Sequence, residues 1–448
     1  MSDYASTASR VKDPGIRELY TVECRWQAWL DVEAALARAQ AEIGMIPAEA
    51  AEAITAAAHL DLLDRGRIDE AFDRTAHTLV PLIWELSRKV GEPHGGWVHW
   101  GATTQNIMES GDLLILRKVH EKLRGQLRTI LAAMADMAEQ TADMPLAGRT
   151  HGQHAVPVTF GFKVAGWIDQ LLRQLQRMDE AEPRIFSAVL GGAAGTFASL
   201  GKDGRKVQEG LARELNMTAR NVPSRAIMDG FAENILHMGM LASICSRIGR
   251  EVYELMKTEF GEVEEPVPAG TVGSSTMPQK RNPKFAQDIV GYAAEIRSQV
   301  PLALEAMQTE HEADRTTHLM IGTAESRACI AVGDMLARMV ELFPGLELHP
   351  ERMRQNLDMS GGLIMAEAVM LELGRQIGRQ EAHDVVYDAA QDTVTRKRSF
   401  SELLSEDPRV NAHLDAAAIE RLLDPTAYTG LCAETARATA QQVRDYFR

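Results

Sequence analysis

Cysteine is scarce in this chain. Its 448 residues hold four, Cys24, Cys245, Cys329 and Cys432. They are scattered, with no CxxC pair and no Cys/His metal spacing, which excludes a disulfide scaffold and a zinc module and predicts a reducing, cytoplasmic setting. No apolar run reaches the roughly 18 residues that a membrane span needs. The opening "MSDYASTASRVKDPG" lacks the apolar core and cleavage site of a secretory signal, so none is expected. Basic blocks are missing too. Lys and Arg total 48 against 63 Asp and Glu, a formal charge of −15, which disfavours nucleic acid as a partner. An anionic substrate then requires a local cluster of Lys, Arg, His and amides. Alternating β-branched runs, internal repeats and low-complexity tracts are also lacking.

What is present is helix-forming sequence. Ala, Leu, Glu, Arg, Gln and Met dominate. Proline is absent from Pro93 to Pro145, from Pro157 to Pro183 and from Pro223 to Pro266. In the last interval Leu241, Ile244, Ile248, Val252 and Leu255 recur at three- and four-residue steps, one apolar helical stripe. A helix of about 30 residues is about 45 Å long, and several such helices bury their stripes only by packing along one another. The expectation is an all-α fold in three domains: 1–104 an N-terminal helical domain, 105–358 a long-helix bundle, and 359–448 a C-terminal helical domain.

Three polar breaks between helices carry unusual chemistry. In "WVHWGATTQN", Gly101 precedes Thr103, Thr104, Gln105 and Asn106. Small hydroxyls and amides cap a helix N-terminus, and such a terminus also suits an anion. His99, between two tryptophans, reads equally well as a packed core histidine. In "GRTHGQHA", Arg149, Thr150, His151 and His154 share one tight turn. The HxxH spacing lacks a nearby third ligand, so metal is disfavoured, while a histidine is a ready general acid near neutral pH. His77, in "DRTAHTLVPL", is a lone polar residue leading into an apolar helix. The third break, "AGTVGSSTMPQKRNPKFAQ", has Ser274 and Ser275 side by side without a GxSxG elbow and in the wrong order for a P-loop. A serine acting as base needs amides and a cation to lower its pKa. Lys280 supplies the cation, Asn282 can hold a carboxylate, and Gly270 and Gly273 let the loop close.

"GSSTMPQKRNP" resembles the signature loop of the fumarase/aspartase superfamily. "GRTHGQHAVPVTFG" and "WVHWGATTQN" resemble its other two active-site segments, in the expected order. The likeness extends to "RWQAWLDVEAALARAQAEIGMIP" and "ERMRQNLDMSGGLIMAEAVMLELGR", and so spans nearly the whole chain. It implies a three-domain all-α fold whose central bundle assembles into a homotetramer, with each active site built from three chains. The implied chemistry is β-elimination from a small dicarboxylate or polycarboxylate, without metal or organic cofactor. By the same resemblance Ser274 is the base, His151 the acid for the leaving group, and His77 a second functional histidine. Thr103, Thr104, Gln105, Asn106, Arg149, Thr150, Ser275, Met277, Lys280 and Asn282 fall in the substrate-binding segments.

Within the superfamily the chain is similar to adenylosuccinate lyase and to 3-carboxy-cis,cis-muconate cycloisomerase. "RLLDPTAYTG" and "VHWGATTQ" look most like the cycloisomerase branch. That branch typically carries Trp at the position of His151 and no match for His77, because its leaving group is a carboxylate. This chain keeps both histidines, which implies an amine leaving group. The nucleotide-binding features of adenylosuccinate lyase are absent: Asp3 precedes Tyr4, and the matching region reads "NVPSRAIMDGF". The expected reaction is therefore release of fumarate from a smaller N-substituted aspartate. Three residues depart from the family pattern. Gln287 stands in place of a Glu, Asn106 in place of an Asp, and Gln279 in place of a His. The first two remove negative charge and make room for a substrate with extra carboxylates.

Overall fold

Helix-forming sequence does become helix over most of the chain. The computed structural model describes residues 11–267 and 276–448. In chain order the helices begin with α1 (Val22–Glu42), α2 (Ala48–Ala57), α3 (Arg65–Thr75), α4 (Val80–Val90) and α5 (Thr104–Gln140). A hairpin follows, β1 (Pro145–Thr150) and β2 (Gln153–Thr159), and leads into α6 (Phe160–Ile185). Next come β3 (Ser187–Ala188), α7 (Gly204–Glu214), β4 (Thr218–Ala219), α8 (Asp229–Leu255) and β5 (Val263–Glu264). Then α9 (Lys284–Glu305), α10 (Arg315–Leu342), β6 (Glu347–Leu348) and α11 (Pro350–Asp358) precede six shorter C-terminal helices, the last being Cys432–Tyr446. No described helix is long and apolar enough to cross a membrane.

The long helices carry the stripes that make them pack. On α5, Leu116, Val119, Leu123, Leu127, Ile130, Met134 and Ala138 are all buried at three- and four-residue steps. Each leucine or isoleucine so covered contributes about 1.5–3 kcal/mol. The stripe predicted on α8 is also present: Leu241, Ile248, Val252 and Leu255 are buried, joined by Cys245, with Ile244 half-exposed.

The described chain divides into two compact units. One comprises Met1–Gln126, Gln174–Cys245 and Gly291–Ala337; the other Leu127–Arg173, Ser246–Val290 and Arg338–Arg448. The core of the first gathers Trp26, Trp29, Leu30 and Leu36 of α1, Leu82 and Leu86 of α4, and Val207 and Leu211 of α7. The second has a core of Val369, Leu373, Val385, Phe400, Leu404 and Ile419 among its C-terminal helices. A smaller cluster there sets Ala147 of the β1–β2 hairpin against Leu357, Ile364 and Met365.

Candidate active site

The first polar segment is held from below by α1. Glu33 and Gln40 lie seven residues apart, two turns, on one face of that helix. Gln40 Nε2 donates to the Trp100 carbonyl at 2.7 Å. The buried Glu33 carboxylate lies 2.6 Å from His99 Nδ1. Burial pulls the His99 pKa down, but the charge and hydrogen bond of Glu33 outweigh it, and the imidazole ends above its ordinary range. His99 is thus a buttressing ion-pair partner. At Gly101 φ is +74°, and a Cβ there would sit 2.4 Å from Leu200 Cδ2. Only glycine allows the chain to turn this close to its neighbour before α5 begins.

Thr103 precedes α5 and Thr104 opens it; both are half-exposed. Asn106 is fully buried. Its Oδ1 accepts from Thr103 N at 3.2 Å and from Gly192 N at 3.2 Å, while its buried Nδ2 has no partner among the described residues. Gln105, also buried, accepts from Arg225 Nε at 2.6 Å through Oε1. Its Nε2 donates to Glu109 Oε1 and to the Arg225 carbonyl. Glu109 Oε1 in turn lies 2.7 Å from His318 Nε2.

His77 belongs to the same unit. Its Nδ1 accepts from the amides of Leu79 and Val80, both at 3.2 Å, so it caps α4 with its ring. An Nδ1 that accepts two N–H groups leaves the proton of the neutral ring on Nε2. The hydroxyl of the next residue, Thr78, lies 3.8 Å from Met108 Sδ on α5. The residue beside His77 thus touches α5, a contact the spacing in sequence does not show.

In the second unit, "GRTHGQHA" is a β-hairpin. Thr150 pairs with Gln153 and Arg149 with His154, antiparallel. The two turn residues, His151 and Gly152, have φ of +52° and +75°, the sign pattern of the tight turn that matches strand twist. A non-glycine residue at positive φ is uncommon, and histidine is among those that tolerate it. The His151 ring is exposed at the tip, and no described residue hydrogen-bonds it. Thr150 is exposed beside it. Arg149 instead turns inward. It forms a two-pronged pair with Glu262, Nη1–Oε2 3.0 Å and Nη2–Oε1 2.6 Å, and lies over the Phe260 ring at 4.9 Å. Asn356 Nδ2 adds a 2.8 Å bond to Glu262 Oε1. The His154 pKa is lowered, first by burial and then by Arg149.

Ser274 and Ser275, with Gly270 and Gly273, lie outside the described residues. Beyond them Met277 and Lys280 are exposed, Asn282 is half-exposed, and Lys280 N donates to the Met277 carbonyl at 3.0 Å. Both flanks of this stretch are pinned together. Glu265 accepts from Phe285 N at 2.9 Å and Ala286 N at 2.6 Å, capping the N-terminus of α9. Burial raises the Glu265 pKa despite those two amides. Gln287 sits exposed on the first turn of α9.

Thr103 to Asn106 and His77 thus fall in one unit; Arg149 to His151, Met277, Lys280 and Asn282 fall in the other. The sequence did not point to Arg225, Glu109, His318, Glu262 or Glu265. Each acts on a partner at least 20 residues away. These pairings leave no trace among sequence neighbours.

The comparisons are specific. Residues 8–298 match the lyase family, and residues 362–438 match the adenylosuccinate lyase C-terminus. The chain belongs to the lyase family, within the fumarase/aspartase superfamily. It is 40% identical over 420 residues to 3-carboxy-cis,cis-muconate cycloisomerase of Pseudomonas aeruginosa, covering 93% of this chain and 91% of the relative. It is 35% identical to N-acetyl-S-(2-succino)cysteine lyase of Enterococcus italicus, covering 94% and 92%. It is 36% identical to adenylosuccinate lyase of Methanothermobacter thermautotrophicus, covering 94% of each. The solved structure of 3-carboxy-cis,cis-muconate lactonizing enzyme from Pseudomonas putida superposes with a TM-score of 0.88 at 33% identity, covering 99% of both chains.

Proposed function

We propose that this enzyme releases fumarate from an N-substituted aspartate by β-elimination. The observation that carries the reading is His151, an exposed imidazole at the tip of a hairpin. An amine is a poor leaving group until it is protonated, and an imidazole can act as the general acid that supplies the proton. Ser274 takes the proton from the carbon next to one carboxylate. Lys280 and Asn282 hold that carboxylate as negative charge builds on it. The C–N bond then breaks, the electron pair leaves with nitrogen, and His151 protonates it. Fumarate and the free amine are the products. Thr103, Thr104 and Asn106 receive the other carboxylate at the start of α5. His77, with its proton on Nε2, is the second histidine of the site. Arg149 acts as the strut of the hairpin rather than as a direct ligand.

The assembly we propose is a homotetramer of three-domain chains, each active site taking segments from three of them, and it works in the cytoplasm without metal or organic cofactor. Four free cysteines suit that compartment. Random mixing of inactive Ser274→Ala and His151→Asn chains should restore activity in about a quarter of all sites if different chains supply the two residues. No recovery would sink the shared site.

The test of the reaction is fumarate appearance at ultraviolet wavelengths across N-substituted aspartates, with adenylosuccinate included. Release from one of them, lost on Ser274→Ala, supports the reading. A cycloisomerase reading is favoured by the 40% identity to the Pseudomonas aeruginosa enzyme. His151→Trp separates the two: a cycloisomerase tolerates it, whereas an amine lyase loses roughly 100-fold or more in kcat. A substrate joined through sulfur, as the name of the Enterococcus italicus relative describes, belongs in the same panel. A thiolate leaves without help, so its rate should depend far less on His151.

A further inference from the structure

Arg225 comes from the "NVPSRAIMDGF" stretch, which no motif accounts for. It is half-buried and sits against the first turn of α5. Two of its guanidinium nitrogens are committed. Nε donates to Gln105 Oε1 at 2.6 Å, and Nη1 donates to the Ala193 carbonyl. Among the described residues Nη2 has no hydrogen-bond partner, and no carboxylate forms a salt bridge with Arg225. Glu109 is the carboxylate whose charge reaches it, but Glu109 Oε1 is already taken by Gln105 and His318.

This arrangement is rigid. Gln105 is clamped from both sides, by the Arg225 side chain and carbonyl on one and by Glu109 on the other. Arg225 grips the Ala193 carbonyl, and Asn106 grips the Gly192 amide of the same short loop. The two anchors leave two donors without partners among the described residues, Arg225 Nη2 and the buried Asn106 Nδ2. A half-buried cation without a salt-bridged counter-ion is costly to hold, and burial lowers its pKa although the charge of Glu109 opposes the shift. An anion that pairs with it removes that cost, and a guanidinium with a fixed edge is suited to a carboxylate.

We infer that Arg225 is a specificity-determining residue that pairs with a carboxylate carried on the leaving group of the substrate. The inference rests on the reading of the chain as a lyase acting on a 2-substituted succinate, and it narrows the leaving group to an amino acid-like anion. Gln105 positions Arg225, and Glu109 with His318 positions Gln105.

Binding is measured by calorimetry with two analogues in which carbon replaces the departing nitrogen, so that neither can be cleaved. Butane-1,2,4-tricarboxylate is a succinate whose side arm ends in a carboxylate. The other, 2-propylsuccinate, has an arm of similar size without charge. The wild-type chain should prefer the tricarboxylate by about tenfold to a hundredfold, the range of one charge-assisted contact. Arg225→Gln should bring that ratio close to one, and Arg225→Lys should keep part of it. Gln105→Glu, which sets a carboxylate against the guanidinium, should also collapse the ratio. Melting temperatures of the variants check that the fold is retained. Equal weakening of both ligands in Arg225→Gln would overturn the inference and leave Arg225 a prop for Gln105. An unchanged ratio, or no preference in the wild-type chain, overturns it as well. The fumarate assay stands apart. If the wild-type chain discriminates between these ligands but releases no fumarate from any succinyl amine, the proposed reaction fails while the carboxylate pairing stands.

Discussion

Glu109 on α5 and His318 on α10 are 209 residues apart in sequence and 2.7 Å apart in space. Burial alone would lower the His318 pKa, but the hydrogen bond and charge of Glu109 raise it overall. A raised histidine pKa contributes stability that is fully present below the unfolded value of about 6.5 and fades as pH rises through the folded value. His318→Gln should therefore cost about 1–2 kcal/mol near pH 6 and less near pH 9. Calorimetric melting at the two pH values checks this; an equal cost at both would show that the imidazole is not charged in the fold.

Glu262 holds the hairpin that carries His151. Its carboxylate is buried and bonded to Arg149 and Asn356. Glu262→Gln leaves the Arg149 guanidinium without its charge partner in a mostly buried place. Breaking one side of such a pair costs about 3–5 kcal/mol. Urea unfolding should show that loss, and kcat should fall with it as the tip loosens. A variant within about 0.5 kcal/mol of wild type would show that the hairpin is held by other contacts.

Asn106 caps α5 through an oxygen that accepts two backbone amides. Asp can do the same with charge, favoured at a helix N-terminus, and it removes the orphaned Nδ2. Asn106→Asp is expected to stay within about 1 kcal/mol of wild-type stability. Its effect should appear in binding, where added negative charge weakens a tricarboxylate by about tenfold. Combining it with Gln287→Glu tests whether the two departures from the family pattern act together. Unchanged affinity for every polycarboxylate in both variants would reject a charge-based role.

Glu325 is buried beside Asp112, and burial with that like charge pushes its pKa up to about 8. Arg25 pulls the other way, 3.2 Å from Asp112. A carboxyl group with a raised folded pKa binds its proton more tightly folded than unfolded. Stability then falls as pH climbs from about 4.5 toward about 8. Glu325→Gln keeps an acceptor for the Tyr20 hydroxyl, which lies 3.4 Å from Oε1. It should flatten this slope and raise the melting temperature at pH 8 more than at pH 5. Parallel curves for the two chains would show that Glu325 titrates normally.

The helical class was legible because the stripe on α8 repeats in sequence what it does in space. The three polar segments stand out in the sequence because each is contiguous and chemically unusual. His99 looked like a packed core residue; the partner that decides its state, Glu33, is 66 residues upstream. Arg149 falls in a substrate-binding segment by resemblance, and the polar turn itself gives no sign of its pairing with Glu262, 113 residues on. Arg225 carried no signal at all, because its meaning comes from Gln105, 120 residues away.

Local chemistry by itself therefore determined the helices, the hairpin turn at His151–Gly152 and the identity of the lyase family. These depend on propensity, periodicity and contiguous motifs, whose physics acts over a few residues. Tertiary packing alone decided which polar groups are spent on holding the fold and which remain available. Glu262 commits Arg149, the Leu79 and Val80 amides set the tautomer of His77, and Gln105 takes Arg225 Nε while Nη2 has no partner among the described residues. Hydrogen bonds and charges act through space, so such assignments exist only once the chain has brought distant residues within about 3 Å.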